Sequence, residues 1–310
     1  MANVLITGGA GFIGSSLADR LLQNPKYKVT LVDNLLTGDV RKVPKHPNCS
    51  YIPCDVNHYE EIAAIMTSHA FDFVFHYAAV VGVKRTTDNP VMVLNDLDGI
   101  KNILNLSKNT GVKRVFFSSS SEVYGEPVEL PQHEETTPLN SRLPYAVVKN
   151  VGESFCRSYQ KAFGLDYTIF RFFNTYGPKQ STDFVISKFL RLARANQPIP
   201  VYGAGNQTRT FCYIDDNAEC TVRILEQNLM VNEVINIGSE VDVTILELAE
   251  LIIRLTGSAS RVEFLPPLKE GDMTRRQPDA SKMKSILSKD LISLEEGLQK
   301  ILESGGPFTQ

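Results

Sequence analysis

Thr7-Gly8-Gly9-Ala10-Gly11-Phe12-Ile13-Gly14 is the stretch that decides the fold. The apolar run Val4–Thr7 leads into it and the helical-period run Phe12–Gln23 leads out, so it reads as strand, tight turn and helix start. Gly8, Gly11 and Gly14, with the backbone of Phe12 and Ile13, are placed to let N–H groups approach a pyrophosphate at the positive end of the helix. Asp33 closes the next apolar run, Lys28–Asp33, about twenty residues on, where a carboxylate accepts hydrogen bonds from adenosine ribose hydroxyls. That carboxylate would repel a 2′-phosphate, and the following Asn34 and Leu35 offer no cation, so the pattern predicts NAD rather than NADP.

Outward from this turn, β-branched runs alternate with helical-period runs, the signature of βαβ units and a parallel sheet. Strands are predicted at Val4–Thr7, Lys28–Asp33, Ser50–Cys54, Phe71–Ala78, Arg114–Ser119 and Tyr167–Phe173. Helices are predicted at Phe12–Gln23, Tyr59–Met66, Asn95–Lys108 and Tyr145–Phe163. The fold class is α/β: a doubly wound parallel sheet of the Rossmann type, with its ligand crevice at the carboxyl ends of the strands. After about residue 174 the rhythm loosens. Helices over Asp183–Asn196, Asp215–Gln227, Ile245–Thr256 and Leu294–Ser304 alternate with strands over Ile199–Tyr202, Val234–Ile237 and Val262–Leu265. Thr244…Glu247 and Ser293…Glu296 have capping-box spacing. The expected division is a dinucleotide-binding domain over 1–174 and a smaller α/β substrate lobe over 175–310, with some elements interleaved.

A chain of 310 residues suits one large α/β domain or two lobes. With 43% apolar and 22% charged residues it is globular rather than disordered. Lys+Arg 32 against Asp+Glu 35 gives a net charge of −3 without like-charge blocks, which argues against nucleic-acid and membrane partners and for small molecules. The most apolar stretch, Phe71 to Val83, is interrupted by Asp72 and His76 and is far short of the ~20 residues a spanning helix needs. Five cysteines at irregular spacing and no leader-like start point to a reducing, cytoplasmic setting. His46, Cys49, Cys54 and His58 match no common zinc spacing, so no metal is expected; His76 and Cys212, in apolar runs, read as core.

Tyr145 and Lys149 stand a turn apart at a helix start, so both side chains share one face. A lysine ammonium and a positive nicotinamide ring would each lower the tyrosine pKa and make a phenolate base available near neutral pH. The serine-rich run Ser118-Ser119-Ser120-Ser121-Glu122-Val123-Tyr124-Gly125 ends the fifth strand, where the sheet delivers polar groups to the crevice.

Together with Cys54-Asp55-Val56, Phe172-Phe173-Asn174-Thr175-Tyr176-Gly177-Pro178 and Tyr202-Gly203…Gln207-Thr208-Arg209, these motifs span nearly the whole chain. In that order they resemble the extended short-chain dehydrogenase/reductases that act on nucleotide sugars: 4-epimerases, 4,6-dehydratases and uronate decarboxylases. The resemblance implies catalytic roles for Ser120, Ser121, Glu122, Tyr145 and Lys149. It implies cofactor contacts from Asn34, Asp55, Val56, Ala78 and Ala79 besides the glycine turn and Asp33. Substrate contacts are implied for Val83, Arg85, Asn174, Val201, Arg209, Arg275 and Arg276, with Asn174, Arg209 and one of the paired arginines on the diphosphate, which suits a bidentate guanidinium. Glu122 stands where dehydratases and decarboxylases place glutamate and simple 4-epimerases a small or hydroxyl residue, and the tail Gly271–Asp279 looks most like the decarboxylases. Three features depart from the decarboxylase pattern: the loop Ala78–Val83 lacks proline, Gly177–Asp183 is short, and Asp96 stands where asparagine is common.

The chemistry so implied is NAD-dependent oxidation at C4 of a nucleotide-diphosphate sugar to a 4-keto sugar, followed by Glu122-assisted elimination or by loss of a C6 carboxylate. The alternatives are 4-epimerisation and, in another class, a non-catalytic NAD-binding sensor or scaffold. A homodimer is expected, paired through the Asn95–Lys108 and Tyr145–Phe163 helices, with Ile100, Ile103, Leu104, Val151, Phe155 and Tyr159 as its apolar surface.

Overall fold

The computed structural model describes residues 1–267 and 276–305, and for Val83 and Lys84 the backbone alone. They fall into two compact units, one of residues 1–123, 139–172 and 218–235, the other of residues 124–138, 173–217 and 236–310.

The first unit is built on β1 (Ala2–Thr7), β2 (Tyr27–Asp33), β3 (Cys49–Pro53), β4 (Phe73–His76), β5 (Arg114–Ser120) and β6 (Asp166–Phe172). The sheet has seven strands in the order β3-β2-β1-β4-β5-β6 and, beyond β6, the Glu233–Ile237 strand. β1 pairs in parallel with both β2 (Thr7 opposite Val32) and β4 (Thr7 opposite His76). Strand order reverses there, which places the crevice of a doubly wound sheet beside Thr7. Val4, Leu5 and Ile6 are wholly buried, as a parallel strand covered on both faces requires. The rings of Phe75, Phe116 and Phe170 stack across β4, β5 and β6, with neighbouring centroids 4.3 and 6.0 Å apart.

The sheet carries helices α1 (Phe12–Leu21), α2 (Tyr59–Ser68), α3 (Val83–Asp88), α4 (Pro90–Leu94), α5 (Asp96–Thr110) and α6 (Pro144–Phe163). α5 and α6 end on Gly111 and Gly164 in the left-handed conformation, the usual helix stop. Two expectations need correction. The run Val234–Ile237, read as part of the later lobe, lies in the main sheet hydrogen-bonded to β6. Ile100, Ile103 and Leu104, read as dimer surface, are at most 2% exposed and belong to the core that covers the sheet. α3 and α4 were not expected; each is too short for a helical period to register.

The second unit pairs Ile199–Tyr202 with Val262–Leu265 in parallel, Thr208–Thr210 with Asp242–Thr244 antiparallel, and Thr175–Tyr176 with Cys212–Tyr213 in parallel. Thr244 and Glu247 form the full capping box of the helix Ile245–Thr256. Ser293 accepts the Glu296 N–H at the start of Leu294–Glu303. Asn236 knots this unit locally: its N–H donates to Glu134, its amide NH₂ to the carbonyls of Gln132 and Asp279, and its carbonyl accepts from the buried Tyr124 hydroxyl at 2.8 Å.

Candidate active site

The glycine turn is held by contacts that leave no room for side chains. Gly8 has φ +66°, and a Cβ there would lie 2.8 Å from the Ala78 nitrogen, so the chain leaving β4 passes directly against the turn. Helix α1 begins on Gly11 with no side-chain cap and no acidic residue in its first turn. The N–H groups of its first turn therefore have no partner within the helix, and the acid that reaches the helix start is Asp33, which is bonded by the Gly11 N–H. Half-buried Phe12 and Ile13 and buried Gly14 form that first turn.

Asp33 ends β2 and is 8% exposed. It accepts the Ala10 N–H (3.0 Å) and the Leu35 N–H (2.8 Å), tying the carboxylate to the glycine turn and to the loop after β2. Burial pushes its carboxyl up, while those N–H groups and the Lys42 ammonium oppose the push. Lys42, itself 3% exposed, is a cation near Asp33 that the sequence reading missed, because it looked only at the two residues that follow the carboxylate. Asn34 donates to Asp55 (3.0 Å), bringing two predicted cofactor contacts together, with Val56 buried beside them.

At the switch point, Thr7 Oγ1 accepts the N–H groups of Tyr77 and Ala78, both at 3.1 Å, and lies 2.8 Å from His76 Nδ1. With its lone pairs taken by two amides, the hydroxyl proton goes to Nδ1, which leaves the imidazole proton on Nε2. Desolvation, helped by the nearby Lys149 charge, drives the His76 pKa down to about 3, so the ring is neutral. Thr7 thus fixes the exit of β4 from which half-buried Ala78 and Ala79 hang.

The end of β5 packs against α6. Lys149 Nζ, 3% exposed, donates to Ser118 Oγ (3.3 Å), and Ser118 donates on to the His76 carbonyl (3.2 Å). Nζ also lies 5.7 Å from the centre of the Tyr145 ring, so phenol and ammonium share one face of α6. Burial pulls the Lys149 pKa down to about 8 against the opposing charge of Asp96. Ser120 closes β5, and its hydroxyl accepts the Glu122 N–H at 3.2 Å. Ser121 and Glu122 open the 3₁₀ turn Ser121–Tyr124, with Ser121 buried and Glu122 Oε2 covered by protein.

Two devices set the distance between α6 and β5. A Cβ on Gly152 would stand 2.3 Å from Phe117 Cζ, so only glycine lets the helix come this close. One residue on, wholly buried Glu153 accepts from Ser119 Oγ (2.6 Å), from Arg171 Nε and Nη2 (2.9 and 2.8 Å) and from Arg157 (3.0 Å). Burial pushes the Glu153 carboxyl up, but the Arg171 guanidinium and its other donors hold it below the usual range. Tyr145, Lys149 and Glu153 are spaced i, i+4, i+8, a polar stripe that sequence reasoning followed only for its first two members.

In the second unit Asn174 Nδ2 donates to the Thr210 carbonyl (3.0 Å), beside Arg209, whose own Nη1 donates to the Thr208 carbonyl (2.7 Å). Val201 is wholly buried and Arg276 is 7% exposed. In the first unit Arg85 donates to the Val81 carbonyl at 2.8 Å. Arg275 and the Val83 side chain lie outside the described residues. Among the described residues no three His, Cys, Asp or Glu come together as a metal set, and no helix is long and apolar enough to cross a membrane. All five cysteines are free, Cys212 and His76 each buried at 2%.

Over residues 4–238 the chain matches the NAD dependent epimerase/dehydratase family. UDP-glucuronic acid decarboxylase 1 of Danio rerio is 36% identical over 313 residues, covering 97% of this chain and 72% of that protein. The solved UDP-glucose 4-epimerase of Thermotoga maritima with UDP-glucose superposes with TM-score 0.91 at 32% identity, covering 97% of each chain. The UDP-glucuronic acid 4-epimerase of Bacillus cereus, in complex with UDP-glucuronic acid and NAD, gives TM-score 0.87 at 30% identity over 96% of this chain and 97% of that one.

Proposed function

The chain belongs to the NAD-dependent epimerase/dehydratase family, and from that premise we propose that it is a nucleotide-sugar lyase that oxidises C4 of a UDP-linked hexuronate and releases C6 as carbon dioxide. The observation that carries this reading is Glu122, hydrogen-bonded through its N–H to Ser120 at the end of β5, where a simple 4-epimerase would have a small or hydroxyl residue. The 36% identity to a protein named UDP-glucuronic acid decarboxylase supports the uronate and the uridine nucleotide.

The residues present fit NAD. The uncapped first turn of α1 offers amides to a pyrophosphate, the clearance at Gly8 keeps the turn tight, and the buried Asp33 carboxylate suits ribose hydroxyls. NAD held there would supply a hydride acceptor for the oxidation at C4 and, once reduced, the donor for the return of that hydride. Tyr145 takes the O4 proton as that hydride leaves, and the Lys149 ammonium beside it favours the phenolate. Ser120 holds O4 by hydrogen bond. The C4 ketone makes the C6 carboxylate a β-keto acid. The C5–C6 bond then breaks, carbon dioxide leaves, and the electron pair enters the C4–C5 enolate. Glu122 delivers the proton that C5 needs, and Tyr145 returns its proton to O4 as the ketone is reduced. Asn174, Arg209 and Arg276 are assigned to the diphosphate, with Arg85 on the substrate.

A second reading, 4-epimerisation, is favoured by the 0.91 TM-score to a UDP-glucose 4-epimerase. The deciding experiment incubates purified protein with UDP-, GDP-, CDP- and dTDP-sugars, uronates included, and weighs the products. Loss of the mass of carbon dioxide from UDP-glucuronate supports the proposal; an isomer of unchanged mass replaces it with epimerisation, and loss of water with dehydration.

A homodimer through α5 and α6 in the cytoplasm completes the proposal. Its apolar surface is the partly buried Phe155 and Tyr159 with the more exposed Val147 (40%) and Phe163 (56%) of α6. Light scattering that returns monomer mass at micromolar concentration refutes it.

A further inference from the structure

We propose that Ser119 is a positioning residue for its two neighbours: its hydrogen bond to Glu153 registers the end of β5 on α6, so that Ser118 meets Lys149 and Ser120 is held for the reacting sugar. The proposal rests on the reading of Ser120, Tyr145 and Lys149 as the groups that oxidise C4, and is independent of what becomes of the ketone.

Ser119 is 2% exposed and stands opposite Arg171 in the parallel pairing of β5 with β6. Residues opposite each other in a ladder share a face of the sheet, and these two converge on the same carboxylate of α6. Ser119 Oγ donates to Glu153 Oε1 at 2.6 Å, and Arg171 Nε donates to that oxygen at 2.9 Å. Glu153 Oε2 accepts from Arg171 Nη2 at 2.8 Å and from Arg157, one turn along α6, at 3.0 Å. Each oxygen thus takes two donors. A glutamine would turn an NH₂ toward one of those pairs, so the arrangement calls for an ionised acid. The Arg171 and Glu153 side chains are 2% and 0% exposed, so water does not compete for these bonds. The ion pair fixes the carboxylate to β6, and the Ser119 hydroxyl is what ties the end of β5 to it.

Helix α6 therefore grips β5 at two successive points. Lys149 Nζ donates to Ser118 Oγ at 3.3 Å, and one helical turn later Glu153 accepts from Ser119. A single point would let the strand end pivot about it; two points fix both register and angle. The Ser118 contact is long and made to a neutral hydroxyl, whereas the Ser119 contact is short and charge-assisted, so the second is the stronger hold. Ser120 follows directly, closing β5 and accepting the Glu122 N–H at 3.2 Å. It is joined to Ser119 by one planar peptide, so its place depends on where Ser119 is held.

The test compares wild type with Ser119→Ala, which leaves Glu153 paired with both arginines, and with Ser119→Thr, which restores the hydroxyl. On whichever nucleotide sugar the wild type turns over, the alanine variant should lose about 10- to 100-fold in kcat, with KM within about twofold and NAD retained. The threonine variant should recover most of the loss. A kcat that stays put, a loss carried by KM, or a threonine variant as impaired as the alanine overturns the proposal. A second readout needs no substrate: ¹³C NMR titration of NAD-loaded protein labelled at lysine Cε, with the Lys149 resonance identified by its absence from Lys149→Met. Burial holds the Lys149 pKa at about 8, so loosening its seat on Ser118 admits water and should raise the midpoint toward the ordinary 10.5 by about half a unit to one unit. A merely structural Ser119 would lower the urea midpoint and leave this titration unmoved, which overturns the proposal equally. Should Ser119→Ala fail to fold, Ser119→Cys, of similar size and a weak donor, takes its place in both measurements. Absence of turnover on every nucleotide sugar would sink the proposed function and leave the titration to decide this one.

Discussion

Replacing Lys149 by methionine should change the pH dependence of stability in a direction that burial of an ammonium dictates. Burial brings the pKa of Lys149 from the ordinary 10.5 to about 8, the opposing pull of Asp96 included. Below pH 8 the lysine is charged in both native and unfolded chains, and the native state bears the full cost of the buried charge. Between pH 8 and 10.5 the native lysine is neutral while the unfolded one keeps its proton. The unfolded state then binds more protons, so stability rises with pH through this window. At about 1.4 kcal/mol per unit of pKa, the gain is about 3 kcal/mol across it. Methionine has similar length and no charge, so the unfolding free energy of wild type minus that of Lys149→Met should climb by up to about that amount from pH 7 to 10.5. Urea denaturation of nucleotide-free protein at four pH values and constant salt measures it. A difference that is flat, or that falls with pH, would refute the account of Lys149 as a desolvated ammonium.

Glu153→Ala leaves the Arg171 guanidinium, 2% exposed, without its bidentate partner and should cost about 3–5 kcal/mol in urea denaturation, whereas replacing both residues by methionine should recover much of that loss. Gly152→Ala must move α6 away from the Phe117 ring; the expected cost is about 1–3 kcal/mol, together with a drop in turnover as Lys149 is displaced from Ser118. Tyr145→Phe removes the base for C4 oxidation, so absorbance should show no reduced cofactor with any nucleotide sugar.

Local chemistry made much of this molecule readable from its sequence. The continuous apolar run Val4-Leu5-Ile6 followed by glycines placed β1, the turn and α1, and the carboxylate expected at the end of the second strand is there as Asp33. What escaped depends on partners far away in the chain. Val234–Ile237 has the pattern of a buried strand, but nothing local says that it lies against β6, some sixty residues earlier. The apolar stripe of α5 announces that Ile100, Ile103 and Leu104 are covered, without saying whether a sheet or a second copy covers them. Lys42 reaches Asp33 only because the loop after β2 folds back, with Asp39 donating its N–H to the Ala10 carbonyl at 2.9 Å. Glu153 could have been found, since an acid eight residues after Tyr145 on the inward stripe of a helix calls for a buried cation.

The central claim is that Glu122 moves the C5 proton after Tyr145 and Lys149 have produced the ketone, and turnover of Glu122→Gln in deuterated water tests it most directly. On UDP-glucuronate the wild type should release carbon dioxide and place one deuterium at C5. The variant should still oxidise C4, with product formation lowered by about 10²–10⁴-fold, as for a lost general acid or base. Near-wild-type turnover by Glu122→Gln, with an isomeric product free of deuterium at C5, would contradict the account and leave 4-epimerisation in its place.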